Sequence, residues 1–317
     1  MLRIKKPLEI GYTKTCDCPA NHISCVTAKE WVKGMVTIQE FYYEGRDIRD
    51  KNIHPAVFPI ALPAHFIRLL THKGELVLDP FVGVGSTLVA AQDLERNAIG
   101  FDLQQKYVDI SMKQLSQSRL HETAHQIAIA DDARNIPYYL REETVSLCIT
   151  SPPYPHFLTH RRRNKSIRGD LRENEHYLKI QQYSDDPRDL GRMDHESYAR
   201  ALTDIYRGVL SLMRPKAHCI VNVNDLWENN ARYPTHIYVI DALTKAGFEL
   251  RNTFIWDKRN LVNQVGIFGW PNNFISLGAT CEFILDFWRP PKKKSHRVKA
   301  ISPCHHSNPL VSLDHES

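Results

Sequence analysis

The residues best placed for chemistry are Ser151, Pro152, Pro153 and Tyr154, which directly follow an apolar stretch typical of a buried strand. Because proline cannot donate to a sheet, this run ends the strand and leaves the Pro152 carbonyl without a partner in the ladder. That carbonyl and the Ser151 hydroxyl are hydrogen-bond acceptors, and Tyr154 has a flat aromatic face. The set suits a planar heterocycle with an exocyclic amine, bound through both N–H groups while its ring stacks on the tyrosine.

Two other interpretations of this region are weaker. A Pro-Pro-Tyr triplet can be the ligand of a small proline-binding domain, but here the triplet directly follows a predicted buried strand. Cys148 precedes the serine within the same apolar strand, which favours a place in the core over a role as nucleophile. We therefore predict that the serine and the residues after it form the reactive part of the site.

A glycine turn lies earlier in the chain, in the sequence DPFVGVGST of residues 79–87. Gly83 and Gly85 follow a predicted strand, and their missing side chains let a ligand approach the backbone where the next helix begins. The turn lacks the third glycine of the dinucleotide fingerprint and the Gly-Lys-Ser/Thr ending of a phosphate-binding loop. The motif therefore argues against hydride transfer and nucleotide hydrolysis.

Three acidic residues follow predicted strands. Asp102 closes the second strand, where a carboxylate can accept hydrogen bonds from both hydroxyls of a ribose. Asp131 and Asp132 lie in the turn after the third strand. One such residue is more often a helix cap or a turn former, but three at the same edge of a sheet indicate a binding site.

Strands alternate with helices along the chain, which predicts an α/β fold with a doubly wound, mostly parallel sheet. After a long polar interruption the pattern resumes with a helix near 196–213 and a strand at 218–225, followed by a helix near 235–246. The last two apolar segments, FELRNTFIWDK and CEFILDFW, are predicted to pair as an antiparallel C-terminal hairpin.

The chain has 317 residues, 42% hydrophobic and 24% charged, a composition that suits a large globular domain. Its net charge of +5 is too small to indicate a partner, but residues 160–172 have six Lys or Arg against one Asp, and residues 289–299 have six against none. A signal peptide and a run of roughly 20 apolar residues are both lacking. We therefore expect an intracellular, soluble protein with two basic segments.

Seven cysteines, an odd number, favour free thiols in a reducing compartment. Cys16, Cys18, His22 and Cys25 lie close together in sequence. A single residue separates the first two, whereas structural zinc sites usually have about two to four, and no second ligand pair follows. The sequence therefore predicts a loop of reduced cysteines without a metal.

Together these motifs resemble the amino-methyltransferases that act on DNA bases with S-adenosylmethionine. Phe81, Gly83 and Gly85 look like the Phe-x-Gly-x-Gly turn of that family, and residues 151–154 look like its (Asp/Asn/Ser)-Pro-Pro-(Tyr/Phe) catalytic tetrad. Residues 54–70 are similar to the segment that covers the methionine end of the cofactor. The cofactor turn precedes the tetrad, which differs from the commonest order in serine-type members.

The resemblance implies a Rossmann-like methyltransferase sheet and a role for each matching residue. Asp79 would lie near the amino-acid part of the cofactor, Asp102 would bind the ribose hydroxyls, and Asp131 or Asp132 would accept from the adenine amine. Pro153 would shape the turn of the tetrad. The implied cofactor-binding set is Asp79, Phe81, Gly83, Gly85, Ser86, Thr87, Asp102, Asp131 and Asp132, and the implied catalytic set is Ser151, Pro152, Pro153 and Tyr154.

The resemblance also implies the reaction, a methyl transfer to the exocyclic amine of a base turned out of double-stranded DNA. In the family, a serine at the first tetrad position is associated mainly with cytosine N4, so we predict N4-methylcytosine. Adenine N6 methylation, RNA base methylation and a non-catalytic DNA-binding subunit stay open as alternatives. A restriction–modification setting in the cytoplasm of a prokaryote, or a phage, with a cognate endonuclease, is the expected context.

These implications divide the chain into five parts: an N-terminal extension (1–50), a cofactor-binding half with the tetrad (51–155), a basic insertion as candidate DNA-recognition element (156–195), the second half of the sheet (196–288) and a basic mobile tail (289–317). Within the insertion, five basic residues are predicted to contact DNA beside the flipped base. They are Arg161, Arg162, Arg163, Lys165 and Arg168.

Overall fold

The computed structural model describes residues 7–19, 21–48, 58–117, 124–155, 186–228, 231–261, 267–268, 276–277 and 279–291. None of the helices within these ranges combines the length and the apolar character needed to cross a membrane. Most of the predicted basic insertion, and the tail from residue 292 onward, lie outside them.

Apolar runs ending at polar or glycine-containing turns form the strands, as strand propensity predicts. In chain order they are β1 (Ile38–Gln39), β2 (Leu76–Asp79), β3 (Asn97–Asp102), β4 (Gln126–Ala130), β5 (Val145–Thr150), β6 (Met213–Val223), β7 (Leu226–Glu228), β8 (Ala231–Tyr233), β9 (Glu249–Asp257), β10 (Ile267–Phe268), β11 (Ser276–Leu277) and β12 (Cys281–Trp288). Strands β7 and β8 form one short antiparallel ribbon, and β10 and β11 form another.

The other eight strands form one sheet in the order β1-β9-β12-β6-β5-β2-β3-β4. Neighbouring strands are parallel except for β12, which pairs antiparallel with both β6 and β9. The prediction of a mostly parallel sheet with an antiparallel C-terminal hairpin is confirmed. β2 lies inside the sheet. The chain first adds β3 and β4 on one side of β2 and later adds β5 and β6 on the other side.

Helices cover both faces of the sheet, as a doubly wound fold requires. They are α1 (Ala28–Gly34), α2 (Gly45–Ile48), α3 (Ala61–Leu70), α4 (Ser86–Asp93), α5 (Gln105–Gln117), α6 (His195–Leu212) and α7 (Thr235–Ala246). Residues from α3 and α4 pack in one apolar cluster with side chains from the sheet. Residues from α6 and α7 pack in a second cluster with the alternate side chains of the same strands. The sheet is therefore buried on both faces.

Strand β6 begins at Met213, five residues before the predicted start, and the preceding helix ends at Leu212. Pro215 accounts for this boundary, because the residue before a proline is disfavoured in helical conformation. The Asp194 side chain caps the same helix by accepting from the Ser197 N–H at 2.8 Å. The resumed helix–strand pattern of the sequence therefore has its expected order, with a shifted boundary.

The segment before residue 49 contributes to this fold. Ile38 of β1 pairs in parallel with Ile255 at the outer edge of the sheet. Nearer the start of the chain, the Leu8 N–H donates to the Tyr139 carbonyl at 2.8 Å and the Thr15 N–H donates to the Lys73 carbonyl at 2.8 Å. The described residues before 49 therefore contact both the region of residues 51–155 and the region of residues 196–288.

Gly85→Ala is expected to lower the free energy of unfolding by about 2–4 kcal/mol. Gly85 has a φ of 97°, and a Cβ there would lie 2.3 Å from Ser111 Oγ and 3.1 Å from Ser111 Cα. Urea denaturation measures the change. The matched control is Gly45→Ala, since a Cβ at Gly45 meets no atom within 4 Å. Equal effects of the two substitutions would contradict this account of the turn.

Candidate active site

The site lies at the carboxyl edge of the sheet, between β2 and β5. These strands are hydrogen-bonded neighbours, and the chain leaves β2 toward one side of the sheet and β5 toward the other. A crevice forms at such a switch point because the connections diverge, and open α/β sheets bind their ligands there. The fold therefore brings the glycine turn, which follows β2, next to the Ser-Pro-Pro-Tyr run, which follows β5.

The glycine turn is tied to the end of the next strand. Gly83 and Gly85 have φ angles of 51° and 97°, in the left-handed region that favours glycine. The Gly83 N–H donates to Asp102 Oδ2 at 3.2 Å, and the Val82 N–H donates to the Phe101 carbonyl at 2.8 Å. Helix α4 begins directly after the turn, and Gly83, Val84 and Ser86 line the crevice.

Asp102 is positioned by backbone donors on both sides. In addition to the bond from the turn, its Oδ1 accepts from the Gln104 N–H at 2.8 Å. Burial raises the pKa of the Asp102 carboxyl to about 7, although the N–H groups of Gln104 and Gly83 oppose the rise. A carboxylate fixed at the end of β3 can accept two hydrogen bonds from a vicinal diol, which fits the predicted ribose contact.

Asp79 lies behind the crevice and joins three elements. It is 1% exposed, and its carboxylate accepts from the Thr87 hydroxyl at 2.6 Å, the Thr150 hydroxyl at 2.5 Å and the Phe81 N–H at 3.0 Å. Burial raises its pKa to about 6, while these three donors oppose the rise. Asp79 therefore connects the end of β2, the start of α4 and the end of β5, which are the parts that carry the two motifs.

Asp131 and Asp132 differ in their hydrogen bonds. The carboxylate of Asp131 is hydrogen-bonded to residues that follow it closely in the chain. Its Oδ1 accepts from Asn135 Nδ2 at 2.8 Å, and its Oδ2 accepts from the Tyr139 hydroxyl at 2.6 Å. Asp132 Oδ1 accepts from the backbone N–H of Arg134 at 2.9 Å and forms an ion pair with the Arg134 Nε at 3.0 Å. Among the described residues its Oδ2 has no such donor, so Asp132 has the oxygen better suited to an amine in the crevice.

These parts enclose a cleft of about 900 Å³, including its open mouth, which is within the size range of small-molecule sites. Carboxylates and the two prolines of the tetrad are among its lining residues. The sequence-predicted residues that line it are Phe81, Gly83, Ser86, Asp102, Asp131, Asp132, Ser151, Pro152 and Pro153. One cleft therefore joins most of the predicted cofactor residues to the predicted catalytic serine.

Four predicted residues do not line the cleft: Asp79, Gly85, Thr87 and Tyr154. Gly85 belongs to the turn itself, and Asp79 and Thr87 are joined by a hydrogen bond behind it. Tyr154 is 6% exposed and packs in the apolar core, and its hydroxyl accepts from the Asn224 N–H at 3.1 Å. In this conformation its ring does not face the cleft, so base stacking on Tyr154 stays a prediction.

Part of the cleft wall was not predicted from the sequence. Arg188, Asp189 and Leu190 line the cleft, and the Arg134 Nη2 donates to the Arg188 carbonyl at 2.9 Å. Asp189 is 5% exposed and accepts from the Gly191 N–H at 2.8 Å. Because these residues belong to the segment interpreted as a DNA-recognition insertion, no spacing signal connected them to the cofactor turn.

Tyr107 also lines the cleft without having been predicted. Burial raises the pKa of its hydroxyl to about 12, and the nearby carboxylates of Asp102 and Asp189 add to the rise. The phenol is therefore neutral at physiological pH and can donate a hydrogen bond within the cleft. The predicted DNA contacts, Arg161 to Arg168, lie outside the described residues.

Residues 20–113 match a family model described as a DNA methylase. The type II methyltransferase M.BglI of Bacillus subtilis is 39% identical over 89 residues, which cover 25% of this chain and 26% of the relative. The type II methyltransferase M.MjaI of Methanocaldococcus jannaschii is 32% identical over 108 residues, which cover 32% of each chain. The chain thus spans between a quarter and a third of the length of these relatives.

Among solved structures, TrmN from Thermus thermophilus superimposes with a TM-score of 0.46 and 17% identity, covering 76% of this chain and 52% of that one. The family-model match extends from residue 20 through the glycine turn to the helix after β3. Over this cofactor-side region, the chain is similar to a DNA methylase family and to type II methyltransferases.

Proposed function

We propose that this chain transfers a methyl group from S-adenosylmethionine to the exocyclic amine of a base in double-stranded DNA, and that the base is cytosine at N4. The observation that supports this best is the single cleft in which Ser151 and Pro152 lie beside the glycine turn and Asp102. A transfer reaction requires the two reactants to be held in contact and in line, and this cleft has a suitable surface for each.

The residues of the cleft fit the cofactor. We propose that Asp102 accepts from the ribose hydroxyls and that Asp132 Oδ2 accepts from the adenine amine. The cofactor supplies an electrophilic methyl group on a positively charged sulfur. A cleft with the carboxylates of Asp102, Asp131, Asp132 and Asp189 favours a ligand with that positive charge.

The chain's own contribution to the transfer lies in two acceptors. The nitrogen of an exocyclic amine is a weak nucleophile because its lone pair is delocalised into the ring. Hydrogen bonds from its two protons to Ser151 Oγ and to the Pro152 carbonyl favour a pyramidal nitrogen with its lone pair directed toward the methyl group. After transfer the nitrogen must lose one proton, which the Ser151 hydroxyl can accept while it donates its own to solvent.

Cytosine N4 is preferred to adenine N6 because serine stands first in the tetrad, and DNA is preferred to RNA because the matching relatives are type II methyltransferases. The segment of residues 161–168 is proposed to contact the phosphate backbone beside the flipped base. A cognate endonuclease as a partner is part of the same proposal.

Mass spectrometry of nucleosides tests this function. DNA and total RNA are digested from cells that lack other base methyltransferases and express the full chain. N4-methylcytosine in DNA is the expected result. N6-methyladenine would contradict the base assignment but retain the reaction, and a mark in RNA alone would contradict the substrate class. Absence of any mark in a protein that binds the cofactor would favour a non-catalytic DNA-binding subunit.

Cofactor affinity is expected to rise by up to about tenfold from pH 6 to pH 8. With a pKa of about 7, Asp102 is mostly protonated at the lower pH and mostly ionised at the higher, and the ionised form accepts more strongly from the ribose. Calorimetry measures the affinity. The asparagine of Asp102→Asn does not titrate, so the affinity of this variant should follow only the cofactor's own titration. A pH profile identical to that of the wild type would contradict the role of Asp102.

A further inference from the structure

Three cysteines and a histidine meet at the opposite edge of the sheet from the cleft. Cys16, Cys18 and Cys25 come from the N-terminal segment, and His72 comes from the loop between α3 and β2. Their four ligand atoms all lie within 4.8 Å of one another. The histidine is 5% exposed, and the cysteines are partly buried.

The individual distances agree with a tetrahedral metal site. Zinc–sulfur bonds of about 2.3 Å and zinc–nitrogen bonds of about 2.0 Å place two sulfurs about 3.8 Å apart and a sulfur and a nitrogen about 3.5 Å apart. Here Cys16 Sγ is 3.5 Å from Cys25 Sγ. The Nδ1 of His72 is 3.4 Å from Cys16 Sγ and 3.6 Å from Cys25 Sγ.

A hydrogen bond from its outer nitrogen orients His72 for metal binding. The Nε2 of His72 lies 2.9 Å from the His22 carbonyl. A carbonyl can only accept, so Nε2 carries the proton and Nδ1 presents its lone pair to the three sulfurs. Such a bond to the outer nitrogen is the usual way in which a metal-binding histidine is oriented.

Hydrogen-bond donors and a positive charge beside the cluster also favour thiolates. The backbone N–H of Lys73 donates to Cys25 Sγ at 3.5 Å. The buried Arg96 guanidinium lies near Cys25 and is held in place by donating to the Thr71 carbonyl at 2.7 Å. Hydrogen bonds to sulfur and a nearby guanidinium stabilise the negative charge that three thiolates would bring.

We propose that Cys16, Cys18, Cys25 and His72 bind one structural zinc ion. Four protein ligands leave no open position for a substrate, which is typical of structural rather than catalytic zinc. The site lies before the start of β2, whereas the cleft lies after its end. The ion would fasten the N-terminal segment to the amino edge of the sheet, beside the backbone bond from Thr15 to Lys73.

This proposal differs from the sequence expectation of reduced cysteines without a metal. The sequence grouped His22 with the cysteines, but the structure gives the cluster the carbonyl of His22 and the ring of His72. The fourth ligand lies 47 residues beyond Cys25, so no local spacing rule could find it. The single residue between Cys16 and Cys18 is compatible with the site because the packing of distant segments, rather than a short zinc-binding turn, brings the ligands together.

Metal analysis of the full chain tests the site. Protein purified without added metal or chelator is expected to contain about one zinc ion per chain by plasma mass spectrometry. His72→Ala is expected to lower this content to below about 0.1 per chain. Exchange with Co²⁺ is expected to give the thiolate charge-transfer and d–d absorption bands of a tetrahedral site.

Two matched controls sharpen the test. His22→Ala removes an exposed ring but retains the backbone carbonyl, and Cys281→Ser removes a thiol outside the cluster; both are expected to retain zinc. A wild-type chain without zinc, one that contains iron instead, or a Cys16–Cys25 disulfide found by mass spectrometry would each overturn the proposal. These wild-type and cobalt measurements decide the matter even if His72→Ala fails to fold.

Discussion

Ser151→Ala is expected to slow methyl transfer to DNA by about 10²–10³-fold, the usual effect of removing one hydrogen-bonding group that acts on the reacting atoms. The substitution removes the acceptor for one amine proton and leaves the Pro152 carbonyl in place. Because Ser151 lies on the proposed base side of the cleft, cofactor affinity is expected to change by less than about threefold. Single-turnover transfer of a labelled methyl group and calorimetric titration measure the two quantities.

Ser146→Ala is the matched control for this experiment. Ser146 lies in β5, the strand that leads directly into the tetrad, and it is 8% exposed. Its hydroxyl lies away from the cleft, so transfer is expected to continue at the wild-type rate. If Ser151→Ala transferred at the wild-type rate too, the hydroxyl would have no part in catalysis, and the tetrad would act through its backbone alone.

Asp79→Ala is expected to lower the free energy of unfolding by about 3 kcal/mol, since it leaves the hydroxyls of Thr87 and Thr150 and one N–H buried without their acceptor. Cofactor affinity should fall as well, because Asp79 holds the start of α4 against the ends of β2 and β5. Denaturant titration and calorimetry measure both effects.

Asp79→Asn provides the comparison. Because burial raises the pKa of Asp79 to about 6, the folded protein stabilises the charged carboxylate only weakly. An amide of the same shape retains an acceptor oxygen. We expect a loss of about 1 kcal/mol for this variant. Similar losses for the alanine and asparagine variants would mean that the negative charge, and not the hydrogen-bonded connection, is what the site requires.

Much of the fold could be predicted because its strands follow one another with clear breaks. The parallel strands β2 to β5 each have an apolar run that ends in a turn, and the register of parallel strands necessarily brings those turns to one edge. That is why Asp102 and Ser151 could be placed in one site from sequence alone. Strand β1 could not be predicted, since two residues have no period and its pairing with β9 joins distant parts of the chain.

The details that the sequence did not predict all depend on contacts over long separations. The wall formed by Arg188 and Leu190, the burial of Tyr154 beside Asn224, and the meeting of His72 with three cysteines are set by how the elements pack. A local pattern indicates the conformation of a segment and the face that it buries. It contains no information on which distant segment covers that face.

Strand β12 lies between β6 and β9, although it is the last of the three in the chain. During synthesis, β9 therefore emerges from the ribosome before the strand that connects it to the rest of the sheet. Until Trp288 is available, β9 and the β1 strand paired with it have no neighbour on their inner side, and an unpaired edge is prone to association with other chains. Completion of the sheet is consequently a late step that depends on β12 inserting between β6 and β9.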